Sequence, residues 1–177
     1  WINTSDAIRM PGLGVNEIKG DTYYPTRVYM ATGNTGAFMP SYGDGLYWSD
    51  DEGGTWNHVQ LGNVSAGDPA SWKVIVHPDP NSDPSLPSAV YVLNGSILYE
   101  SLDGFTPHYI GGIATYNVNS YDFDNSISNI GWEGSLFDIE IVPADLNSGI
   151  PATFYVSSRS SPSSNIKRCL LYTSPSP

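Results

Sequence analysis

Three adjacent carboxylates, Asp50, Asp51 and Glu52, lie in segment 49–56 and form the first cluster in the chain that could do chemistry. A calcium loop would need oxygen ligands at alternate positions and a distal Glu, which this spacing does not supply. Catalysis is disfavoured because neighbours on a strand point to opposite faces, and because a tight turn would use Asp51 itself. The pattern therefore predicts a structural role.

The same segment reads Ser-x-Asp-x-Gly-x-Thr-Trp, with fixed positions at Ser49, Asp51, Gly53, Thr55 and Trp56. Asp51 is expected to accept hydrogen bonds from backbone N–H groups of a turn, and Gly53 to take a positive φ. The hydroxyls of Ser49 and Thr55 are expected to tie together the two strands that flank the turn. The ring of Trp56 is expected to be buried between sheets.

A degenerate second copy of this pattern begins at Ser101. It keeps Asp103, Gly104 and Thr106, but it is shorter and has Pro107 where the Trp would fall. This copy is too degenerate to indicate a turn by itself, but it stands at the same place in a second unit and so supports the repeat.

Short β-type runs surround both copies and recur with a period of about sixty residues. The first runs of the units are 14–18, 72–78 and 136–143, the second are 27–32, 89–93 and 152–156, and the third are 45–48 and 97–100. A four-stranded unit repeated in this way predicts an all-β fold built of antiparallel propeller blades, with the Ser-x-Asp turns between the third and fourth strands (C and D).

About two and a half blades are expected, which is fewer than the four to eight that close a ring. Blade one is predicted at about 13–61, blade two at about 72–111, a long loop at 112–135 and the start of blade three at 136–157. Residues 1–168 are therefore expected to be part of a larger ring, with the remaining blades of the same chain as partners.

Composition excludes some functions. The formal net charge of −11 repels nucleic acid and anionic membranes, and no apolar run is long enough for a transmembrane helix. The tail 169–177 resembles one reading frame of a sequencing adapter, as in a translated environmental DNA fragment, so the single cysteine, Cys169, is expected to be non-native. A rival interpretation takes residues 171–174 as another Leu-Tyr-x-Ser strand end.

The pattern at 49–56, together with the preceding Gly-Leu-Tyr-Trp run, resembles the Asp-box (bacterial neuraminidase repeat) propellers. This group includes sialidases, xyloglucan-cleaving glycoside hydrolases and sortilin-like domains. In the group the box is structural, and the resemblance implies a secreted or cell-surface protein without a cofactor. Function does not follow from fold, so two hypotheses remain open: a glycoside-hydrolase-like, carbohydrate-active protein, or a non-catalytic propeller that binds protein or glycan or serves as a surface scaffold.

The resemblance implies that ligand sites lie opposite the box turns, on the face that carries the loops 33–44, 62–71 and 112–135. The last loop contains acidic and aromatic residues, which suit glycoside hydrolysis by two carboxylates with aromatic platforms for sugar rings. The catalytic candidates are Asp122, Asp124 and Glu133, and the ligand-binding candidates are Trp132, Tyr121 and Phe123. The alternative is that the acids solvate a long loop while its rings anchor it.

Other residue types point to less. The chain has four arginines, at positions 9, 27, 159 and 168, in no motif, so a sialidase receives no direct support. His58, His77 and His108 lack metal-ligand spacing and are expected at the surface or at blade edges. Neither a metal nor a cofactor is predicted. Asn63 and Asn94 match the short N-glycosylation pattern, which is common by chance.

Overall fold

The computed structural model of the protein describes residues 14–33, 43–61, 71–77, 88–94, 97–110, 113–122, 135–142, 153–159 and 164–170. Every regular element in these ranges is a strand, which confirms the predicted all-β class. No helix in the described part is long and apolar enough to cross a membrane.

Thirteen strands are named here in chain order. They are β1 (Val15–Gly20), β2 (Val28–Thr32), β3 (Leu46–Ser49), β4 (Asn57–Val59), β5 (Ser71–His77), β6 (Ala89–Asn94), β7 (Ile97–Ser101), β8 (His108–Ile110), β9 (Ile113–Thr115), β10 (Asn119–Asp122), β11 (Ser135–Val142), β12 (Thr153–Arg159) and β13 (Ser164–Leu170).

The strands form three larger sheets and one hairpin, all antiparallel. Sheet 1 has the order β1-β2-β3-β4, sheet 2 the order β5-β6-β7-β10, and sheet 3 the order β11-β12-β13. Within the described part of the chain, strands β8 and β9 pair only with each other. Sheets 1 and 2 therefore confirm the predicted four-stranded antiparallel units.

The fourth strand of sheet 2 is not where it was predicted. The segment 112–135 was expected to be one long loop after blade two, yet it contains β9 and β10. Strand β10 pairs with β7 from Asn119↔Glu100 to Asp122↔Ile97 and supplies the fourth strand. The hairpin β8–β9 is thus an insertion between the third and fourth strands of sheet 2.

The first strands of the three sheets share one irregularity. Strand β1 contacts β5, and β5 contacts β11. In each, one residue is skipped in the pairing with the next strand, between Val15/Glu17, Ser71/Lys73 and Leu136/Asp138. Glu17, Lys73 and Asp138 each follow the skipped residue directly, so they occupy equivalent positions in the three sheets. A bulge changes the direction of the side chains that follow it.

The main core lies between sheets 1 and 2. Alternation along each strand sends every second side chain to this interface. The buried residues there are Tyr29, Ala31, Leu46, Trp48, Val59 and Leu61 on one side, Val74, Val90, Val92 and Tyr99 on the other, and Phe105 from the connection after β7. On the other face of sheet 2, Leu93 and Leu98 are fully buried, and β11 packs against β5 and β6.

The predicted tail overlaps the last strand. Cys169 and Leu170, the first two residues of 169–177, belong to β13, where they pair with Phe154 and Thr153. Residues 171–177, including the alternative strand end at 171–174, lie outside the described residues.

Candidate functional site

The turn at 49–56 joins β3 to β4, the third and fourth strands of sheet 1. Asp51 Oδ1 accepts hydrogen bonds from the Thr55 N–H (2.7 Å) and the Ser49 hydroxyl (2.7 Å), and its Oδ2 accepts one from the Thr55 hydroxyl (2.9 Å). These contacts, led by the Thr55 N–H, lower the pKa of the Asp51 carboxyl. Three donors to an ionised acceptor make Asp51 the centre of the turn and leave it little freedom for acid–base chemistry.

The backbone of this turn passes through the left-handed region twice. Glu52 has φ 57° and Gly53 has φ 88°. The Ser49 hydroxyl oxygen accepts the Gly53 N–H at 2.8 Å and so holds the second of these residues. The ring of Trp56 lies over Gly53, where an added Cβ would come within 3.2 Å of Cζ2. Trp56 is partly exposed and packs on its own turn.

The second turn, at 101–108, repeats this backbone path. The Ser101 hydroxyl donates to Asp103 Oδ1 (2.7 Å) and accepts the Phe105 N–H (2.7 Å), as Ser49 does for Asp51 and Gly53. Positive φ values recur at Gly104 (63°) and Phe105 (58°). Structural equivalence therefore aligns Gly104 with Glu52 and Phe105 with Gly53, one position away from the alignment that the glycine suggested.

Two side-chain changes follow from this alignment. Pro107 stands where Thr55 stands in the first turn and has no N–H to offer Asp103. Instead, Asp103 Oδ2 lies 2.7 Å from His108 Nε2. The two turns also differ in the residue that supplies a buried ring. Phe105 is fully buried and packs between sheets 1 and 2, where Trp56 was expected to lie.

Arg27 connects the two turns. It is 4% exposed, and it donates from Nε and Nη2 to both carboxylate oxygens of Asp50, at 2.6 and 2.9 Å. Its Nη1 donates to the Gly104 carbonyl oxygen at 3.0 Å, and its Cζ lies 4.4 Å from the centroid of the Trp48 ring. Burial lowers the pKa of the Arg27 guanidinium, but the hydrogen bond and charge of Asp50, together with Tyr29, raise it by more, so the net shift is upward.

Further polar contacts cross from sheet 1 to sheet 2. Asp21 is 4% exposed and accepts both the N–H (2.9 Å) and the hydroxyl (2.8 Å) of Ser88, in addition to the Tyr23 N–H. The Tyr29 hydroxyl donates to the Gly104 carbonyl at 3.2 Å. These buried contacts fix how one sheet sits on the next.

Charges at the equivalent positions after the bulges alternate in sign across the inner strands. Lys73 Nζ lies 3.0 Å from Asp138 Oδ1 and 3.9 Å from Glu17 Oε1. Glu17 Oε2 also accepts the Val74 N–H at 2.8 Å. Burial lowers the pKa of Lys73, but Asp138 and Glu17 raise it more, so the net shift is upward. One side chain from each sheet thus joins a single charge row.

The predicted carbohydrate site falls mostly outside the described residues. Tyr121 and Asp122 are the last two residues of β10, where they pair with Leu98 and Ile97. The remaining candidates, Phe123, Asp124, Trp132 and Glu133, lie outside the described residues, as do loop residues 34–42 and 62–70.

The structure describes all three histidines and one of the two asparagines that match the glycosylation pattern, whereas Asn63 lies outside the described residues. His58 in β4 and His108 in β8 are exposed, and His77 ends β5 partly buried. Among the described residues no group of three His, Cys, Asp or Glu side chains could hold a metal ion. Asn94 is 1% exposed and its Nδ2 faces the Leu61 carbonyl at 3.4 Å, so the folded chain does not present it for glycosylation.

Sequence reasoning missed Arg27, Phe105 and the row Glu17–Lys73–Asp138. The row had a signal in the sequence, because each of its residues is a charged residue that directly precedes an apolar one in a repeated first run. Arg27 had none, since its partner Gly104 is 77 residues away.

Comparisons of the chain with protein-family models, with curated proteins and with solved structures found no significant match.

Proposed function

We propose that the chain is a section of an exported, carbohydrate-directed Asp-box β-propeller. The observation that carries the proposal is the repetition of one geometry in successive sheets. Sheets 1 and 2 share the Ser-x-Asp turn with its two left-handed residues, and sheets 1 to 3 share the bulge in the first strand. The first strands are neighbours in space, as the proposal requires of blades placed around an axis.

The exposed fractions of three equivalent residues support a further blade that packs against sheet 1 in the whole protein. Ile18, Val74 and Ile139 each follow the post-bulge residue in their sheets. Val74 is 0% and Ile139 1% exposed, because another sheet covers each of them, whereas Ile18 is 57% exposed. An apolar side chain at a position that is buried in the other repeats fits a face on which a further blade packs.

For the biochemical function, the first candidate is a glycoside-hydrolase-like protein. It rests on the resemblance of the turn at 49–56 and on the acidic and aromatic residues around Asp122. A hydrolase of this kind needs two carboxylates on either side of the scissile bond. Asp122, Asp124 and Glu133 are the residues that would provide them in this part of the chain.

The second candidate is a non-catalytic propeller that binds protein or glycan, or serves as a surface scaffold. One observation favours it: most described carboxylates already serve internal contacts. The acids that accept a hydrogen bond or form an ion pair are Glu17, Asp21, Asp44, Asp50, Asp51, Glu100, Asp103 and Asp138. Among the described residues the acids thus serve mainly to hold the fold together, as expected of a binding module or a scaffold.

The blade proposal is tested by placing a charge on the exposed face. Ile18→Asp should cost less than about 1 kcal/mol of unfolding free energy in the 177-residue chain, because the residue is exposed. In the longer product of the natural gene it should cost several-fold more, since a charge would then be buried between sheets. Val74→Asp, the matched control, should be strongly destabilising in both. An Ile18→Asp change that is equally harmless in both chains contradicts the proposal.

The two functional candidates are separated on the longer product with neutral and sialylated polysaccharides. Release of reducing sugar that is lost in Asp122→Asn, Asp124→Asn or Glu133→Gln supports the hydrolase. Retention of polysaccharide in affinity electrophoresis without any release supports the binding protein. Neither release nor retention contradicts the carbohydrate-directed part of the proposal.

A further inference from the structure

The hairpin β8–β9 is an apolar insertion on the outside of the fold. In sheet 1 the turn at 49–56 joins the third and fourth strands directly, whereas in sheet 2 the hairpin is added after the equivalent turn. All six residues of its two strands are exposed. Tyr109, Ile110 and Ile113 are each 71% exposed, the highest values among the large apolar residues that the structure describes. Apolar side chains grouped at the surface in this way mark a place for a partner.

The hairpin is also open to the addition of a strand. Among the described residues β8 and β9 pair in a regular register only with each other, so each has an edge without a neighbouring strand. Proteins usually protect such edges with charges, proline or a bulge. The segment 109–116 has no such protection, because it contains no Lys, Arg, Asp, Glu or Pro. An extended segment of a partner could therefore pair with it through backbone hydrogen bonds, and a two-stranded hairpin gains stability from a third strand.

Acidic side chains border the base of the hairpin. The Arg27 guanidinium donates to Asp50 in the first turn, and its Nη1 donates over 3.4 Å to the Thr106 hydroxyl, two residues before β8. The first turn, with the exposed side chains of Asp50, Asp51 and Glu52, is therefore next to the hairpin. Among the described ion pairs only Asp50 of these three faces a cation, so this side of the hairpin is negative.

We propose that the hairpin β8–β9 binds an extended, basic segment of another protein as an added strand. Every second side chain of that segment is apolar and covers Ile110 and Ile113, which lie opposite each other on one face of the hairpin. Lysine or arginine side chains between them face Glu52 and its acidic neighbours. A second copy of the chain is a poorer occupant, because both copies carry a net charge of −11 and the same acids.

This inference goes beyond the proposed function and does not rest on it. The hairpin follows the second Ser-x-Asp turn, whereas the resemblance assigns ligands to loops on the opposite face. Failure of the hairpin to bind a basic segment leaves the carbohydrate and blade proposals as they are, and failure of those proposals leaves the hairpin as it is.

The test uses the 177-residue chain and the fluorescence anisotropy of a labelled peptide in which lysine and valine alternate. We expect a Kd of about 10–100 μM, as in small and transient interfaces. A peptide that alternates lysine and serine has the same charge but no apolar side chains, and it should bind about tenfold more weakly or less. A peptide that alternates glutamate and valine should not bind, because its charge has the sign of the acids beside the hairpin.

Substitutions in the chain locate the site. Ile110→Ser combined with Ile113→Ser removes two exposed apolar side chains and should weaken binding about tenfold or more. Glu52→Gln should weaken it about threefold at low salt, a difference that high salt should abolish. Ile18→Ser is the matched control, because Ile18 is 57% exposed on β1, and it should leave binding unchanged. Circular dichroism checks that each variant folds. If the double variant does not, NMR amide shifts of the natural chain replace it, and peptide should shift residues 109–115.

The inference is overturned if the lysine–valine peptide does not bind at about 1 mM, or if the lysine–serine peptide binds equally well. It is also overturned if the double serine variant binds the peptide undiminished, if Ile18→Ser weakens binding, or if peptide shifts amides only outside the hairpin. Two other occupants would be recognised directly. Dimers in sedimentation equilibrium that the double variant abolishes would assign the hairpin to a second copy, and sedimentation with phosphatidylcholine vesicles that the double variant abolishes would assign it to a lipid surface.

Discussion

Removal of the Arg27 side chain should be among the most damaging polar substitutions in the described part of the chain. Arg27→Ala deletes the charged hydrogen bond to the buried Gly104 carbonyl, worth about 1.5–3 kcal/mol, and the cation–π contact with Trp48, worth about 0.5–1 kcal/mol. The pair with Asp50 adds less, because the Asp50 side chain is 56% exposed and can return to water. We expect a total of about 3 kcal/mol.

The control substitution separates these contributions. Asp50→Ala removes the half-exposed partner and leaves the contacts of Arg27 with Gly104 and Trp48, so it should cost about 0.5–1 kcal/mol. Arg27→Lys keeps the charge but cannot bind Asp50 and Gly104 through one planar fork. It should therefore lie nearer to Arg27→Ala than to the natural chain.

The measurement is urea unfolding followed by tryptophan fluorescence, with the slope m checked for constancy so that midpoints report stability. A double-mutant cycle with Arg27→Ala and Asp50→Ala should give a coupling of about 1 kcal/mol or less. The reasoning is refuted if Arg27→Ala costs no more than Asp50→Ala, because the contact between the two turns would then contribute nothing.

Three further results are expected. Phe105→Ala should cost about 3–5 kcal/mol in urea unfolding, since the fully buried ring fills the core between sheets 1 and 2; Leu102→Ala, 57% exposed, is the control and should stay within about 0.5 kcal/mol. Folding lowers the pKa of Asp51, so the contribution of its carboxylate to stability should be complete above the unfolded pKa of about 4 and be lost as the pH falls through the folded pKa. Asp51→Asn should therefore make the urea midpoint depend less on pH across that acid range. A pH dependence of the midpoint that is the same in both chains would contradict the assignment. A glycan attached to Asn94 before folding should prevent the native fold, because Asn94 is 1% exposed in the folded chain, so mass spectrometry of the folded, secreted protein should find its peptide unmodified.

Strands with apolar alternation could be predicted closely from the sequence. The runs 27–32 and 89–93 correspond to β2 and β6, and 45–48 and 97–100 correspond to β3 and β7. These strands lie inside sheets 1 and 2, where burial of one or both faces imposes a pattern on the residues. Local composition therefore carried enough information for the all-β class and for the repeated unit.

The fourth strand of sheet 2 could not be predicted in the same way. Strand β10 (Asn119–Asp122) is short and polar, and only its pairing with β7 makes it a strand. The hairpin β8–β9 separates it from the turn that it would otherwise follow directly. Long-range pairing thus decided the place of β10, and the segment 112–135 gave no apolar periodicity to reveal it.

The two Ser-x-Asp turns show why the glycine was a poor guide to alignment. What repeats is a pair of consecutive left-handed residues held by a serine hydroxyl, and the chain meets this demand once with Glu52-Gly53 and once with Gly104-Phe105. A glycine is therefore needed at one of the two positions, but either position can have it.

Which of the two left-handed positions lacks glycine then determines which aromatic ring packs at the turn. With Gly53 in place, the Trp56 ring can lie over the backbone, where an added Cβ would crowd it at 3.2 Å. With Phe105 there, the residue itself supplies the ring and sends it into the core between the sheets. The degenerate copy is thus a second solution to the same backbone path. It uses the strain of a left-handed phenylalanine, offset by full burial of its ring, to join the turn to the neighbouring sheet.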